Sequence, residues 1–251
     1  MGVFNGKVAI VTGGGRDIGG AIAVKLAREG AFVAVNYHSS AAGAQEVVSR
    51  IESSDGRAVA IQADLTKWEG AQKLVGETVK AFGDKIHILV NNTGGLLGRK
   101  RIDEMEEAFW DAVMDVNLKS TFLVTKATLA HMPDGGAIVN IGSLAARDGG
   151  GGGAVAYATS KGAILTFTRG LAKELKPRKI RVNNVAPGMI ATKFHDDFTP
   201  DAVREKVASM TLSEREGTSE DVAEAVAYLA SDAAAYVNGE SLEINSGLYF
   251  I

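Results

Sequence analysis

Residues 8–19 read Val8-Ala9-Ile10-Val11-Thr12-Gly13-Gly14-Gly15-Arg16-Asp17-Ile18-Gly19, an apolar run that stops at a cluster of glycines and opens into a helical pattern reaching about Glu29. An apolar run without alternation fits a strand buried on both faces. Glycines at a strand-to-helix turn let the backbone approach a phosphate closely, and the helix N-terminus offers free N–H groups and a partial positive charge. A structural tight turn would also use glycines. Their place between the first strand and the first helix makes a pyrophosphate cradle the stronger reading.

Outward from this stretch the same rhythm repeats. Apolar runs at Ala31–Asn36, Ala58–Ala63, Ile86–Asn91, Ala137–Ile141 and Ile180–Val185 alternate with helical patterns such as Ala42–Ser53, and a short run, Ser241–Ile244, comes last. Strands separated by helices argue for right-handed crossovers and a parallel sheet. No long linker and no internal repeat interrupts the pattern. The expected fold is α/β, a single Rossmann-like, doubly wound parallel sheet with helices on both faces, one domain over residues 1–251.

Composition narrows the function. The chain has 251 residues, of which 46% are hydrophobic and 23% charged, with a net charge of −3. No basic tract dominates, which leaves nucleic acid without an electrostatic footprint. There is no cysteine, so disulfides, thiolate metal sites and a cysteine nucleophile are all excluded. The histidines, His38, His87, His131 and His195, are too scattered for a zinc site, and no metal is expected. No segment reaches the roughly 18 continuous apolar residues of a membrane span, and the opening MGVFNGKVAIVTGGG has no signal-peptide core. A cytoplasmic location is the expectation.

Dinucleotide sites that prefer NAD place an acid at the end of the second strand, where it bonds the ribose 2′-hydroxyl. Here that strand ends Asn36-Tyr37-His38-Ser39-Ser40, with no carboxylate before Glu46. Arg16 projects from the glycine loop instead, and with His38 and the serines it suits a 2′-phosphate, which a carboxylate would repel. NADPH is favoured over NADH. Asp64, just past the third strand, stands where an adenine would be bonded.

Three features meet near the carboxyl ends of the later strands, where open α/β sheets hold their ligands. Ser143 follows the run Ala137–Ile141, and Tyr157 and Lys161 stand four apart, on one helical face. A free tyrosine hydroxyl has a pKa of about 10; a nearby ammonium favours the phenolate and brings it toward working pH. Ser143 would hold a carbonyl oxygen while Tyr157 protonates it, and Asn117 would hold a water linking Lys161 to solvent. A tyrosine and lysine at this spacing are more often a surface pair. Their conjunction with Ser143 and the glycine loop raises the catalytic reading.

Together TGGGRDIG at 12–19, DLT at 64–66, NNTGG at 91–95, Asn117, Ser143, YATSK at 157–161 and PGMIAT at 187–192 resemble the short-chain dehydrogenase/reductase family over essentially the whole chain. The resemblance implies a catalytic tetrad of Asn117, Ser143, Tyr157 and Lys161. It implies cofactor contacts from Gly13, Gly15, Arg16, Ile18 and Gly19, from Tyr37, His38 and Ser39, from Asp64 and Leu65, from Asn91 and Gly94, from Tyr157 and Lys161, and from Pro187, Gly188, Ile190 and Thr192. It also implies a homotetramer. Two positions depart from the family pattern: Asp17 stands where glycine is usual, which puts the phosphate contacts there in question, and Thr93 replaces an alanine.

Which carbonyl compound is reduced depends on the loops. Gly95, Arg99, Lys100 and Arg101 follow the fourth strand, Arg147 follows Ser143, and His195 precedes a polar helical stretch, Asp196–Gly217, that reads as a lid. Gly95, Arg99, Arg147 and His195 are the candidate substrate contacts; the cations would hold a carboxylate, or simply form a solvated loop. The run Gly149–Gly153 reads as a mobile rim or a tolerated surface loop. NNTGGLLGRK, RDGGGGGAVAYATSK and PGMIATKFHD resemble members that reduce 4-deoxy-L-erythro-5-hexoseulose uronate, a small acidic keto sugar. The chain also resembles 3-oxoacyl carrier-protein reductases and glucose dehydrogenases. A noncatalytic dinucleotide-binding sensor is the alternative from a different class; loss of the tyrosine or lysine would mark it, and both are present.

Overall fold

Alternate residues of the first apolar run enter different cores, and this sets the architecture. In the computed structural model, which describes residues 2–250, Ala9 and Val11 pack into one buried cluster while Val8 and Ile10 pack into another on the opposite face. A strand enclosed on both sides has no polar face, which is why the run shows no alternation.

Strands β1 (Val8–Val11), β2 (Phe32–Tyr37), β3 (Arg57–Gln62), β4 (Ile88–Asn91), β5 (Ala137–Ile141), β6 (Arg181–Pro187) and β7 (Ser241–Ile244) make one seven-stranded sheet in the order β3-β2-β1-β4-β5-β6-β7. All neighbours are parallel. Helices α1 (Asp17–Arg28), α2 (Ala41–Glu52) and α10 (Ser219–Ala230) cover one face, and α3 (Trp68–Phe82), α5 (Ser120–Thr128) and α7 (Val155–Glu174) the other. The order reverses between β1 and β4, so the connections leaving these strands diverge and open a crevice at their carboxyl ends.

The expected strands are all present, with no end shifted by more than two residues. Helix α4 (Glu107–Met114) runs into α5 through a π-helical turn, Asp115–Lys119, that carries Asn117. No local sequence pattern announces that turn. The polar stretch after Asp196 was expected as one helical element but is two, α8 (Lys193–Phe198) and α9 (Asp201–Ser209). Pro200 separates them, since proline lacks an N–H and restricts the residue before it. Between β5 and α7 lies a single-turn helix, α6 (Ala145–Asp148).

Helix α10, packed on α1 beneath the glycine turn, opens with a reciprocal capping box. Thr218 Oγ1 accepts from Asp221 N at 3.2 Å and Asp221 Oδ2 accepts from Thr218 N at 2.7 Å. Replacing Thr218 by Ala removes one of these bonds at a cost of about 1 kcal/mol. The expected outcome is a melting temperature lower by about 2–4 °C in differential scanning calorimetry.

Candidate active site

The turn between β1 and α1 is pinned by buried polar side chains at strand ends. Asn36, 2% exposed in β2, accepts from Gly13 N through Oδ1 at 3.1 Å, and its main-chain carbonyl accepts from Gly14 N at 2.8 Å. Asn36 Nδ2 donates to the carbonyls of Ile61 and Ala63, both at 3.3 Å. Asn92 Nδ2 donates to Thr12 O at 2.9 Å and Gly13 O at 3.1 Å, while Thr12 Oγ1 accepts from Asn92 N and Thr93 N, each at 2.9 Å. Sequence reading missed Thr12, Asn36 and Asn92. The available signal was a polar residue closing an apolar run, since a buried amide is retained where it satisfies backbone groups.

The pinned turn has the shape of a pyrophosphate cradle. A Cβ at Gly19 would fall 2.3 Å from Gly13 O and 2.5 Å from Asn92 Nδ2, so only glycine allows α1 to begin so close to the turn. The first-turn N–H groups of α1 have no intrahelical acceptor and face an incoming anion. Asp17 has φ +49°, a left-handed conformation in which glycine costs nothing and aspartate is tolerated. Its carboxylate meets Arg16 Nε at 3.7 Å and Lys193 N at 3.5 Å. Thr93 Oγ1 is buried without a hydrogen-bond partner among the described residues, and a Cβ on Gly13 would lie 3.2 Å from it.

A cleft of about 790 Å³ runs from this cradle across the carboxyl ends of the strands. Its adenosine end is walled by Gly13, Gly15, Arg16, Ile18 and Gly19 and by Tyr37, His38 and Ser39; its other end is walled by Gly94, Tyr157, Lys161, Pro187, Gly188, Ile190 and Thr192. The glycine approach and the free helix N-terminus fit a nicotinamide dinucleotide. Three expected contacts lie elsewhere. Asn91 is 3% exposed under the floor, its Nδ2 donating to Thr125 Oγ1 at 3.0 Å and Asn140 Oδ1 at 2.9 Å; the next residues, Asn92 and Thr93, form the wall. Leu65 packs in the core at 4% exposure, which leaves only its backbone for a ligand. Asp64 lies beside the cleft rather than in its wall, with Oδ1 accepting from Thr66 N at 3.0 Å and Thr66 Oγ1 at 2.7 Å. Burial opposes its ionisation, but these bonds outweigh it and hold the carboxyl below its ordinary range.

At the chemical end, α7 delivers Tyr157 and Lys161 together. Lys161 is 3% exposed and its Nζ donates to Ile141 O at 2.8 Å, 5.7 Å from the centre of the Tyr157 ring. Desolvation lowers its pKa to about 8. Burial pushes the Tyr157 hydroxyl up, and a hydrogen bond with the Ser143 side chain opposes this. Ser143 Oγ in turn accepts from Ala145 N at 3.1 Å, which sets its direction. Phe194 of α8 lies against Tyr157 with ring centres 5.8 Å apart. Asn117 is fully buried behind the cleft. Its Nδ2 donates to Gly95 O and Val113 O, both at 2.9 Å, and its Oδ1 accepts from Gly95 N at 3.0 Å. Both amide hydrogens are therefore committed to the backbone, and the side chain clamps the Gly95 loop instead of presenting a donor to a water.

Of the expected substrate contacts, Gly95, Arg99 and His195 line the cleft. Arg147 does not: its Nε and Nη2 donate to Glu243 Oε1 at 3.2 and 3.0 Å, and the pair is only 16% and 14% exposed. Its partner is 96 residues away in sequence, out of reach of a local reading. Lys100 lies over the Phe109 ring and Arg101 pairs with Asp103, so Arg99 is the cation of that trio in the cleft wall. His195 Nδ1 bonds Thr199 Oγ1 at 2.9 Å, and burial holds its pKa below the ordinary imidazole value. The glycine run is docked rather than loose. Arg99 Nη1 donates to Gly152 O at 2.9 Å and Lys100 N to Gly153 O at 3.0 Å, with positive φ at Gly149, Gly150 and Gly153. Among the described residues no cluster of His, Asp and Glu could hold a metal, and no helix is long and apolar enough to cross a membrane.

A parallel sheet with a glycine cradle at its switch point and a Ser–Tyr–Lys group facing the same cleft defines a nicotinamide-dependent oxidoreductase. The family model described as Enoyl-(Acyl carrier protein) reductase matches residues 13–249. Glucose 1-dehydrogenase 2 of Bacillus subtilis is 39% identical over 98% of this chain and 95% of its own, and the 3-oxoacyl-[acyl-carrier-protein] reductase of Staphylococcus aureus 38% over 97% and 98%. Among solved structures, a short-chain dehydrogenase/reductase from Serratia marcescens superposes with a TM-score of 0.92 at 39% identity, covering 98% of each chain. An NADH-dependent reductase, A1-R′, responsible for alginate metabolism superposes at 0.89 with 34% identity over 99% of each, and a Burkholderia cenocepacia short-chain dehydrogenase in complex with NADP at 0.89 with 37% over 98% of each. The chain belongs to the short-chain dehydrogenase/reductase family.

The buried lysine makes a testable pH dependence. A lysine whose pKa is about 8 when folded and near 10.5 when unfolded destabilises the fold. The whole penalty is present below pH 8, fades as the pH rises to 10.5 and is absent above it. Lys161→Met removes the charge but leaves Ile141 O without its donor, an offset of about 1 kcal/mol. The cofactor-free variant is expected to be more stable than the parent at pH 7 by about 1–2 kcal/mol. Urea titrations at stepped pH should show that advantage shrinking between pH 8 and 10; an advantage constant with pH would refute a buried ammonium.

Proposed function

We propose that this oxidoreductase is an NADPH-dependent carbonyl reductase acting on a small acidic keto sugar, with 4-deoxy-L-erythro-5-hexoseulose uronate as the first candidate. The observation that carries the substrate reading is Arg99. It stands in the cleft wall, is held in place by Gly152 O and by Phe198 O, at 3.2 Å, and keeps Nη2 without a hydrogen bond among the described residues. A guanidinium anchored on two sides with a free donor suits a carboxylate. The likeness to the alginate-metabolism reductase supports the same choice. For the cofactor, Arg16, His38 and Ser39 at the adenosine end and the lack of a carboxylate at the end of β2 favour the 2′-phosphate form.

When bound, the dinucleotide supplies the hydride. The Ser143 hydroxyl holds the carbonyl oxygen where negative charge develops, and Tyr157 gives that oxygen its proton. Burial keeps Tyr157 in the phenol form that a proton donor needs, while the Ser143 bond and the Lys161 ammonium stabilise the phenolate left behind. Phe194 closes over the Tyr157 ring and excludes water from the proton transfer. Asn117 fixes Gly95 at the edge of the reacting centre. The assembly in this reading is a homotetramer, supported by an unpaired outer edge on β7 and by Tyr236 and Phe250, which are 104% and 83% exposed; light scattering on the eluted protein would give the mass of four chains.

The decisive experiment follows NADPH and NADH absorbance separately with the purified protein and a panel of keto sugar acids, β-ketoacyl thioesters and neutral sugars. NADPH oxidation with the keto acid supports the proposal; turnover only with thioesters refutes the substrate, and faster turnover with NADH refutes the cofactor. Tyr157→Phe should lower kcat by about 10²–10⁴-fold while leaving NADPH affinity unchanged in fluorescence titrations. Arg99→Ala should raise KM for the acidic substrate by about 10- to 100-fold and leave KM for a neutral carbonyl compound unaltered.

A further inference from the structure

Ser143 sits at the start of α6, a helix of four residues followed at once by five glycines. One helical turn is not self-supporting, because nucleation fixes several dihedrals for a single hydrogen bond. The direction of Ser143 Oγ is set by Ala145 N, the first residue of that turn. Something outside α6 must therefore hold it.

A chain of hydrogen bonds on one face of β6 and β7 reaches both sides of Ser143. Asn184 Nδ2 donates to Ser241 Oγ at 2.8 Å, and Ser241 Oγ donates to Glu243 Oε1 at 3.2 Å. Arg147, the third residue of α6, donates to the same Oε1 through Nε and Nη2. At the other end the Asn184 amide lies against Gly142, where a Cβ would meet its Oδ1 at 2.7 Å and its Nδ2 at 2.8 Å. Asn184 is fully buried and the Arg147–Glu243 pair nearly so, which puts the chain in a medium where directional bonds hold strongly. Ser241 Oγ and both Arg147 donors converge on Glu243 Oε1.

We infer that Arg147 and Glu243 are positioning residues for the Ser143 hydroxyl, anchoring α6 to β7 while Asn184 fixes the preceding Gly142. The inference rests on the reading of Ser143 as the group that holds the carbonyl oxygen. An arginine that sequence reading placed on the substrate thus acts behind the catalytic serine.

The test compares Ser143→Ala, Arg147→Met, Glu243→Met and the double variant Arg147→Met/Glu243→Met, using NADPH and the best substrate of the panel above. Each single variant leaves a charge buried without its partner and is expected to melt lower; the double variant, which buries none, should regain the parent's melting temperature. Arg147→Met and the double variant are expected to lose about tenfold in kcat with NADPH affinity unchanged. Their pH–rate profiles in the alcohol-oxidising direction should shift to higher pH, because a displaced Ser143 no longer stabilises the Tyr157 phenolate. If the double variant regains the parent's kcat together with its melting temperature, the pair is merely structural and the inference is overturned. If Ser143→Ala loses turnover while Arg147→Met keeps it, the inference alone falls. If Ser143→Ala keeps full turnover, the reading of Ser143 falls first and takes the inference with it.

Discussion

Gly19 and Gly13 meet across the carboxyl end of β1, and the cofactor end of the cleft is built around that contact. It brings the start of α1 over the switch point between β1 and β4, so that free N–H groups and the helix dipole face the cleft. Such closeness leaves no room for side chains and would orphan the turn's own backbone groups. Thr12, Asn36 and Asn92 satisfy them from three neighbouring strand ends. An unpaired buried backbone group costs about 1–3 kcal/mol, so the turn holds its shape only while all three remain in place. The anion site is thus a property of the sheet as much as of the glycines.

The chemical end repeats this logic with Gly94. A Cβ there would fall 2.5 Å from Asn117 Oδ1 and 3.0 Å from Lys161 Nζ, so the loop after β4 lies directly on the two groups. Packing this tight excludes water from Lys161, whose depressed pKa is the consequence. The π-helical turn has a related role. By adding a residue to the rod of α4 and α5 it turns the Asn117 amide onto Gly95 rather than onto the helix surface, as such turns often do at functional sites. Lys161 and Tyr157 are both desolvated, and desolvation alone favours their neutral forms. Bringing them together in one dry site makes the ionisation of each sensitive to the charge of the other.

Much of this was legible in the sequence. The alternating apolar and helical stretches revealed a parallel sheet because a strand buried on both faces leaves a distinctive record, as Val8–Val11 shows. Ser143, Tyr157 and Lys161 could be grouped from sequence because a Ser, a Tyr and a Lys in this order have few other uses together, and the structure brings all three to one cleft. What could not be read was direction. Asn91 and Asn92 are adjacent and of the same type, yet successive side chains of a strand point to opposite faces, so one props the core and the other the turn. Arg147 was misassigned because its partner lies across the sheet on β7. The single polar stretch after Asp196 was divided by Pro200, a breaker present in the sequence but outweighed by the helical composition around it.

Asp17 shows how a departure from the family pattern is absorbed. The position requires a positive φ, and a non-glycine residue there gives up about 1 kcal/mol. Its carboxylate would oppose a pyrophosphate if it pointed inward. Instead it meets Arg16 Nε and the first amide of α8, the helix whose Phe194 covers Tyr157. The strain therefore has a counterpart: a contact between the glycine loop and the helix whose Phe194 packs against Tyr157. Pairing with Arg16 also draws the half-exposed guanidinium toward the glycine loop at the edge of the cleft. A residue that looked from sequence like a liability at the phosphate is, by its geometry, turned toward α8.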